Sequence, residues 1–214
     1  MPFNTSNYLE ILKFMTENSQ KNVELVAVSK NHLIEDVLFA IHKGVTVFGE
    51  NRVQEAFGKF FEIKKENKKI KLHLTGPLQS NKVKKALEIF DVFHTLDREK
   101  LANEIFKHKD SLANKNFFIQ VNTGKENSKS GIYPEEVGEF INFCRDDLSI
   151  PVFGLMCIPP ISEKPSEHFE LLKAIAKKNN LTKLSMGMSG DYKEAILSGA
   201  THIRVGTKIF GSRK

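Results

Sequence analysis

The chain has 214 residues, 40% of them hydrophobic and 27% charged, which suits one or two globular domains rather than a disordered tail. Its 32 basic and 26 acidic residues give a net charge of +6, which favours an anionic partner such as nucleic acid, an acidic protein or a phosphorylated small molecule. The two cysteines, Cys144 and Cys157, argue against a disulfide scaffold or structural zinc, and no stretch is a leader peptide or a membrane span, so we expect a cytoplasmic protein.

Short β-branched or aromatic runs alternate with longer segments of helical periodicity. A leading helix is predicted over about residues 5–20, and eight strands follow it, at residues 24–30, 46–51, 70–76, 92–96, 117–122, 152–156, 184–187 and 202–206. In the first helix after a strand, we expect Leu33, Val37, Leu38 and Ile41 to form the buried face and Gly44 to end it.

Eight strand–helix units without a linker predict an α/β fold, a single (β/α)₈ TIM barrel over residues 1–214 with an extra N-terminal helix and no second β domain. A doubly wound open sheet is the alternative. It is less favoured because such sheets have fewer strands and because no GxGxxG follows the first strand.

Ligands of a TIM barrel bind at the carboxyl ends of its strands, so polar residues there are the candidates for a site. Lys30 ends the first apolar run, and a desolvated lysine there could form an imine with an aldehyde. The alternative is a lysine that points to solvent. Arg204 alternates with Ile203 and Val205, so it should point into the barrel, either toward a ligand or into a structural ion pair.

Two segments are typical of phosphate binding. Ser189 lies in a glycine-rich turn after the seventh strand, and Gly206 and Thr207 follow the eighth, where barrels often hold a phosphate. Both could instead be ordinary turns. The histidines show no metal-ligand spacing, with His73 and His202 expected to pack in strands, so no metal site is predicted.

Seven motifs occur in an order that resembles the pyridoxal phosphate homeostasis protein family, which is itself similar to the N-terminal barrel of alanine racemase. The resemblance covers about residues 23–213, and the motifs are Ala27–Lys30, Phe48–Glu55, His73–Lys82, Ser128–Gly131, Gly154–Met156, Leu184–Ser189 and Arg204–Gly211. The sequence departs from the family pattern at Asn31, where threonine is more usual, and at Thr75, where an apolar residue is more usual.

The resemblance implies that pyridoxal 5′-phosphate is the cofactor and that Lys30 holds it as a Schiff base. It further implies the roles of six other residues: phosphate binding by Ser189, Gly206 and Thr207, a place opposite the pyridine nitrogen for Arg204, and contact with the cofactor ring for Asn51 and Met156. Family members are regarded as carriers of the cofactor or regulators of the vitamin B6 pool and of amino-acid and keto-acid balance, without an established enzymatic activity. The implied partners are therefore the cofactor and apoenzymes that accept it.

A guanidinium cannot accept a proton from a pyridinium, so Arg204 should keep the ring nitrogen neutral and weaken carbanion chemistry. The chain ends soon after the eighth unit, which leaves no room for the β domain that supplies a second acid/base group in racemases of this type. We therefore expect a monomeric or weakly dimeric holder of the cofactor with no catalytic residues. A minimal racemase or lyase is the alternative, and RNA binding through residues 64–71 and 82–85 is a third interpretation.

Overall fold

Eight parallel strands close into a barrel in which each strand pairs with its sequence neighbours and the eighth pairs with the first. The computed structural model describes residues 3–19 and 22–211. The strands are β1 Glu24–Val28, β2 Val47–Glu50, β3 Lys71–Leu74, β4 Val92–Leu96, β5 Asn116–Val121, β6 Val152–Cys157, β7 Lys183–Ser185 and β8 His202–Val205. The predicted TIM barrel is therefore confirmed, and the open sheet is excluded.

Helices follow the strands and cover the barrel. They are α1 Thr5–Asn18, α2 Ile34–His42, α3 Val53–Glu66, α4 Val83–Ile89, α5 Glu99–Phe106, α6 Val137–Asn142, α7 Pro165–Lys178, α8 Tyr192–Leu197 and α9 Thr207–Phe210. No helix within residues 3–19 and 22–211 is long and apolar enough to cross a membrane.

The extra N-terminal helix lies against the last two helices of the barrel. The Asn4 side chain caps α1 by accepting a bond from the Asn7 amide at 2.9 Å, and the Asn7 side chain donates to the Lys208 carbonyl at 2.7 Å. Ile11 and Met15 form its buried stripe. The helix ends at Asn18; residue 20, to which it was predicted to extend, lies outside the described residues, as do residues 1–2, 21 and 212–214.

The buried face predicted for α2 is partly wrong. Val37 and Ala40 are buried, but Leu33 is 67% exposed and Leu38 is 49% exposed. Leu33 precedes the first helical turn, and a helix on the outside of a barrel buries only a narrow stripe, here at a spacing of three residues. Gly44 does end this segment, with the positive φ of 91° that glycine adopts at helix ends.

The barrel interior is more polar than the layer between strands and helices. Ile203 and Val205 belong to the large outer core, whereas Arg204 lies inside the barrel, as the alternation along β8 predicts. A small apolar cluster around Phe118 and Met156 is separate from this outer core. Polar side chains at the top of this interior form the floor of the site.

Candidate functional site

A cavity of about 360 Å³, here called the inner cavity, opens at the carboxyl ends of β8, β1 and β2. Its lining includes six of the seven predicted site residues: Lys30, Asn51, Ser189, Arg204, Gly206 and Thr207. Met156 is the exception, because it is fully buried beneath the cavity beside Val92 and Phe118. The barrel thus brings together residues that are up to 177 positions apart in the chain.

Lys30 stands where the chain turns sharply at the end of β1. The next residue, Asn31, has a positive φ of 61°, which asparagine tolerates better than most residues. Its amide donates to the Glu55 carboxylate at 2.5 Å. This turn fixes the backbone from which the half-buried Lys30 side chain enters the cavity.

A buried charged cluster lies behind Lys30. Lys59, only 8% exposed, is 2.5 Å from the Glu50 carboxylate and donates to the Ser29 carbonyl at 2.7 Å and to Glu55 at 2.9 Å. The Ser29 hydroxyl donates to Glu50 at 2.7 Å. Burial raises the pKa of Glu50, and the adjacent Lys59 opposes that rise. The cluster ties the ends of β1 and β2 to α3.

Sequence reasoning missed Lys59, although a signal was present. It lies on the buried stripe of α3 together with Ala56, Phe60 and Ile63. A lysine on an otherwise apolar helical face needs a buried partner, and Glu50 at the end of a neighbouring strand is such a partner.

Arg204 forms the floor of the inner cavity and is 5% exposed. Its guanidinium donates to the Ser185 hydroxyl at 2.5 Å and to the Cys157 carbonyl at 2.9 Å. Within the described part of the chain no carboxylate forms an ion pair with it, so the alternative of a structural ion pair finds no support there. A buried positive charge that forms no ion pair favours an anionic ligand.

Backbone amides and two hydroxyl side chains form one wall of the cavity. The Ser189 hydroxyl accepts long bonds of 3.4 Å from the amides of Gly206 and Lys208. A Cβ atom at Gly206 would lie 3.0 Å from the Val28 carbonyl oxygen, so a larger residue would crowd the end of β1. The Thr207 hydroxyl lies on the same wall, which can therefore donate several hydrogen bonds to an anion.

Asn51 is oriented by one of the residues that depart from the family pattern. The Thr75 hydroxyl donates to the Asn51 side-chain oxygen at 2.9 Å. The amide group therefore turns its oxygen toward Thr75 and its nitrogen, a donor, away from it.

His32 also lines the inner cavity, a position that its sequence context did not indicate. Its ring lies 5.1 Å from that of Phe210, and Nδ1 is 3.9 Å from the Asp36 carboxylate. Burial lowers the pKa of His32, with Asp36 opposing. A second titratable group therefore shares the cavity with Lys30.

A larger chamber of about 650 Å³, here called the outer chamber, adjoins the inner cavity. The two share Asn51, Thr75, Ile158 and Met188, and the remaining walls of the chamber come from the ends of β4 and β5 and from the loops after β3, β5 and β6.

The other candidate chemistries find little support in the described residues. They contain no group of three side chains able to hold a metal ion. Both cysteines are buried, and burial raises the pKa of each thiol to about 12, so neither is a ready nucleophile.

The predicted RNA-binding lysines are partly neutralised. Lys64 lies 2.5 Å from Asp91, and Lys65 lies 3.0 Å from Glu62 and above the ring of Phe61. These ion pairs reduce the charge that the surface offers to a phosphate backbone.

Comparison with known proteins identifies the family of this chain. The chain is 38% identical over 206 residues to the pyridoxal phosphate homeostasis protein of Haemophilus influenzae, covering 91% of this chain and 87% of that protein. It belongs to the pyridoxal phosphate homeostasis protein family. A second member of this family, from Vibrio alginolyticus, is 41% identical and covers 90% of this chain and 88% of its own.

The chain also matches the alanine racemase N-terminal domain and a solved structure. The family model of the alanine racemase N-terminal domain matches residues 5–214. PipY of Synechococcus elongatus, solved with pyridoxal phosphate bound, superposes with a TM-score of 0.82 at 32% identity, covering 97% of this chain and 99% of that one. These matches confirm the family resemblance that the sequence motifs indicated.

Proposed function

We propose that this protein binds pyridoxal 5′-phosphate as a Schiff base on Lys30 and serves in vitamin B6 homeostasis. The observation that carries the proposal is the inner cavity itself. It combines a lysine at a strand end, a buried Arg204 that forms no ion pair within the described residues, and a wall of amide and hydroxyl donors. A small anion that carries an aldehyde fits this set of groups. The PLP-bound relative from Synechococcus elongatus supports the same assignment.

Each group has a chemical role in this proposal. The Lys30 amine would form a C=N bond with the aldehyde carbon and release water. Ser189, Gly206 and Thr207 would hold the phosphate, and the Asn51 amide nitrogen would donate to the ring substituents. Met156 would support the ring only from below, because it lies beneath the cavity lining.

Arg204 would limit catalysis. Its guanidinium donates to Ser185 and Cys157 and has no lone pair with which to accept a proton. A ring nitrogen opposite such a group stays neutral, and bound cofactor then withdraws electrons weakly. We therefore propose a carrier that supplies apoenzymes and influences amino-acid and keto-acid balance. Its single barrel domain, cytoplasmic location and monomeric or weakly dimeric state stay part of this proposal.

The decisive experiment is to locate the attachment point. The protein is mixed with pyridoxal phosphate, reduced with borohydride, digested and analysed by mass spectrometry. We expect one modified residue, Lys30, and a visible absorbance band that is lost in Lys30→Ala. Lys13→Ala, an exposed lysine on α1, is the matched control and should keep the band. Modification at another lysine, or no band in the wild type, would refute the proposal.

A minimal racemase or lyase is the second candidate, and His32 is the observation in its favour. A racemase needs a proton carrier on each face of the bound amino acid, and His32 shares the inner cavity with Lys30. Incubating the loaded protein with single-enantiomer amino acids and measuring the mirror forms separates the two candidates. Turnover that disappears in His32→Gln would establish the enzyme, and no turnover favours the carrier.

A further inference from the structure

A row of polar side chains crosses the barrel interior beneath Arg204. Its guanidinium Nη1 lies 2.5 Å from Ser185 Oγ, which lies 2.8 Å from His94 Nδ1. His94 Nε2 is 3.0 Å from His73 Nδ1. His73 Nε2 in turn lies 3.5 Å from the carboxylate of Glu24, the first residue of β1. The row thus links the floor of the inner cavity to the opposite end of the barrel.

The chemistry at the Arg204 end fixes which atom donates at each step. A guanidinium has no acceptor, so the Ser185 oxygen must accept from it. The Ser185 hydroxyl is fully buried, and His94 Nδ1 is the acceptor that the described residues offer to its proton. His94 Nδ1 therefore accepts, which puts the His94 proton on Nε2, from where it is donated to His73 Nδ1.

The contact between His73 and Glu24 requires the same direction of hydrogen-bond donation. With Nδ1 of His73 accepting, the proton of that ring lies on Nε2 and faces the Glu24 carboxylate at 3.5 Å. The reverse direction would set a nitrogen lone pair against an ionised carboxylate. Burial opposes ionisation of Glu24, but the hydrogen bond from His202 is the main cause of the opposite shift, and the pKa of Glu24 is lowered to about 2.

Both histidines are neutral at physiological pH, as this arrangement requires. Burial lowers the pKa of His73 to about 3, with His202 and Lys71 acting in the same direction and Glu24 and Asp91 opposing. For His94, burial and the charges of His73, Arg204 and His202 lower the pKa well below its ordinary value.

We infer that Ser185, His94 and His73 are positioning residues, which form a one-way chain of hydrogen bonds from Arg204 to His73, whose Nε2 faces the Glu24 carboxylate, and which hold the guanidinium in a single orientation at the floor of the inner cavity. The direction of this hydrogen-bond chain is inferred only from contacts within the barrel. Its effect on a bound ligand rests on the function proposed above, because Arg204 would then face the ring of the cofactor.

Nitrogen-15 NMR of the histidine rings tests the chain in the wild-type protein without any ligand. We expect both His94 and His73 to be neutral, with Nε2 protonated and Nδ1 bare, from pH 8 to pH 5. A His94 ring protonated on Nδ1, or charged within this range, would overturn the inference.

Two variants test whether the chain acts on Arg204. Ser185→Ala removes the link, so the Arg204 Nη protons should exchange with solvent faster and pyridoxal phosphate should bind about tenfold more weakly. Ser185→Thr keeps the hydroxyl and should restore slow exchange. Unchanged exchange in Ser185→Ala would refute a positioning role.

A variant at the Glu24 end tests whether Arg204 sets the direction of the chain. A glutamine at position 24 can present either a donor or an acceptor to His73, so in Glu24→Gln only the Arg204 end sets the direction, and we expect His73 to keep its proton on Nε2. Glu17→Gln, an exposed glutamate on α1, is the matched control. A mixture of His73 tautomers in Glu24→Gln would show that Arg204 does not set the direction.

The ligand measurement separates this inference from the proposed function. If the wild-type protein shows the expected tautomers and slow Arg204 exchange but takes up no cofactor, the proposed function fails and the chain stands. If cofactor binds at Lys30 with equal affinity in wild type and Ser185→Ala, the proposed function stands and the inference fails.

Discussion

The inner cavity and the outer chamber share four lining residues but differ in the rest of their walls. The inner cavity is formed by strand ends and short turns, and its floor is the buried, positively charged Arg204. The outer chamber is wider, at about 650 Å³ against about 360 Å³, and Ser128, Ser130 and Ile161 in its wall are exposed. The difference teaches that the buried positive charge belongs to the inner cavity, whereas part of the wall of the outer chamber is open to solvent.

Replacing Arg204 should have the largest effect on the difference between the inner cavity and the outer chamber. In Arg204→Met we expect pyridoxal phosphate to bind about 100-fold more weakly, because the anionic ligand loses its buried positive partner. Absorbance titration measures the Kd. Arg145→Met, at an exposed arginine beyond α6, is the control. A Kd within twofold of the wild type for Arg204→Met would mean that the charge does not favour the ligand.

Acid should weaken the fold beneath the inner cavity. His73 and His94 have pKa values lowered by burial, so below about pH 6.5 the unfolded chain binds protons that the folded chain does not. Stability is therefore present above this pH and is lost as pH falls. Glu50, whose pKa burial raises, offsets part of the loss.

We expect the two histidines to lower the free energy of unfolding by about 4 kcal/mol between pH 7.5 and pH 5, about 2 kcal/mol each, before the opposing contribution of Glu50. Urea unfolding at both values measures it. His94→Gln should reduce the pH dependence by about half, whereas His42→Gln, at an exposed histidine on α2, should preserve it. Equal stability of the wild type at the two pH values would show that the buried histidines are not neutral in the fold.

The cavity wall that contains Ser189 and Thr207 should discriminate between phosphorylated and unphosphorylated ligands. Ser189→Ala and Thr207→Val should each weaken binding of pyridoxal phosphate about tenfold while leaving binding of pyridoxal unchanged, since each removes one hydroxyl donor to the phosphate. Ser128→Ala, in the outer chamber, should alter neither Kd. Equal losses for both ligands would place these hydroxyls away from the phosphate.

The smallest effect on ligand binding is expected at Thr75, which lines both the inner cavity and the outer chamber. Thr75→Val removes the hydroxyl that orients Asn51 and keeps the side-chain shape, so binding should weaken about threefold. The double variant Thr75→Val/Asn51→Ala should bind no more weakly than Asn51→Ala alone. Additive losses would show that Thr75 acts independently of Asn51.

The sequence was sufficient to predict the barrel because each strand and helix repeats a local pattern. Alternation along β8 correctly placed Arg204 inside, and the strand-end rule brought Lys30, Ser189 and Thr207 to one cavity. Packing between distant elements was harder. The exposure of Leu38 depends on how α2 lies on the barrel, and the pairing of Lys59 with Glu50 depends on where α3 meets two strand ends.

Lys30 and Lys59 both lie near the end of β1 but have different roles. Lys59 is held by Glu50, Glu55 and the Ser29 carbonyl and does not line the inner cavity, so its amine lies away from a ligand bound there. It links the ends of β1 and β2 to α3 instead. Because these contacts of Lys59 are all with protein groups, we expect the two strand ends to keep their positions whether or not a ligand occupies the inner cavity.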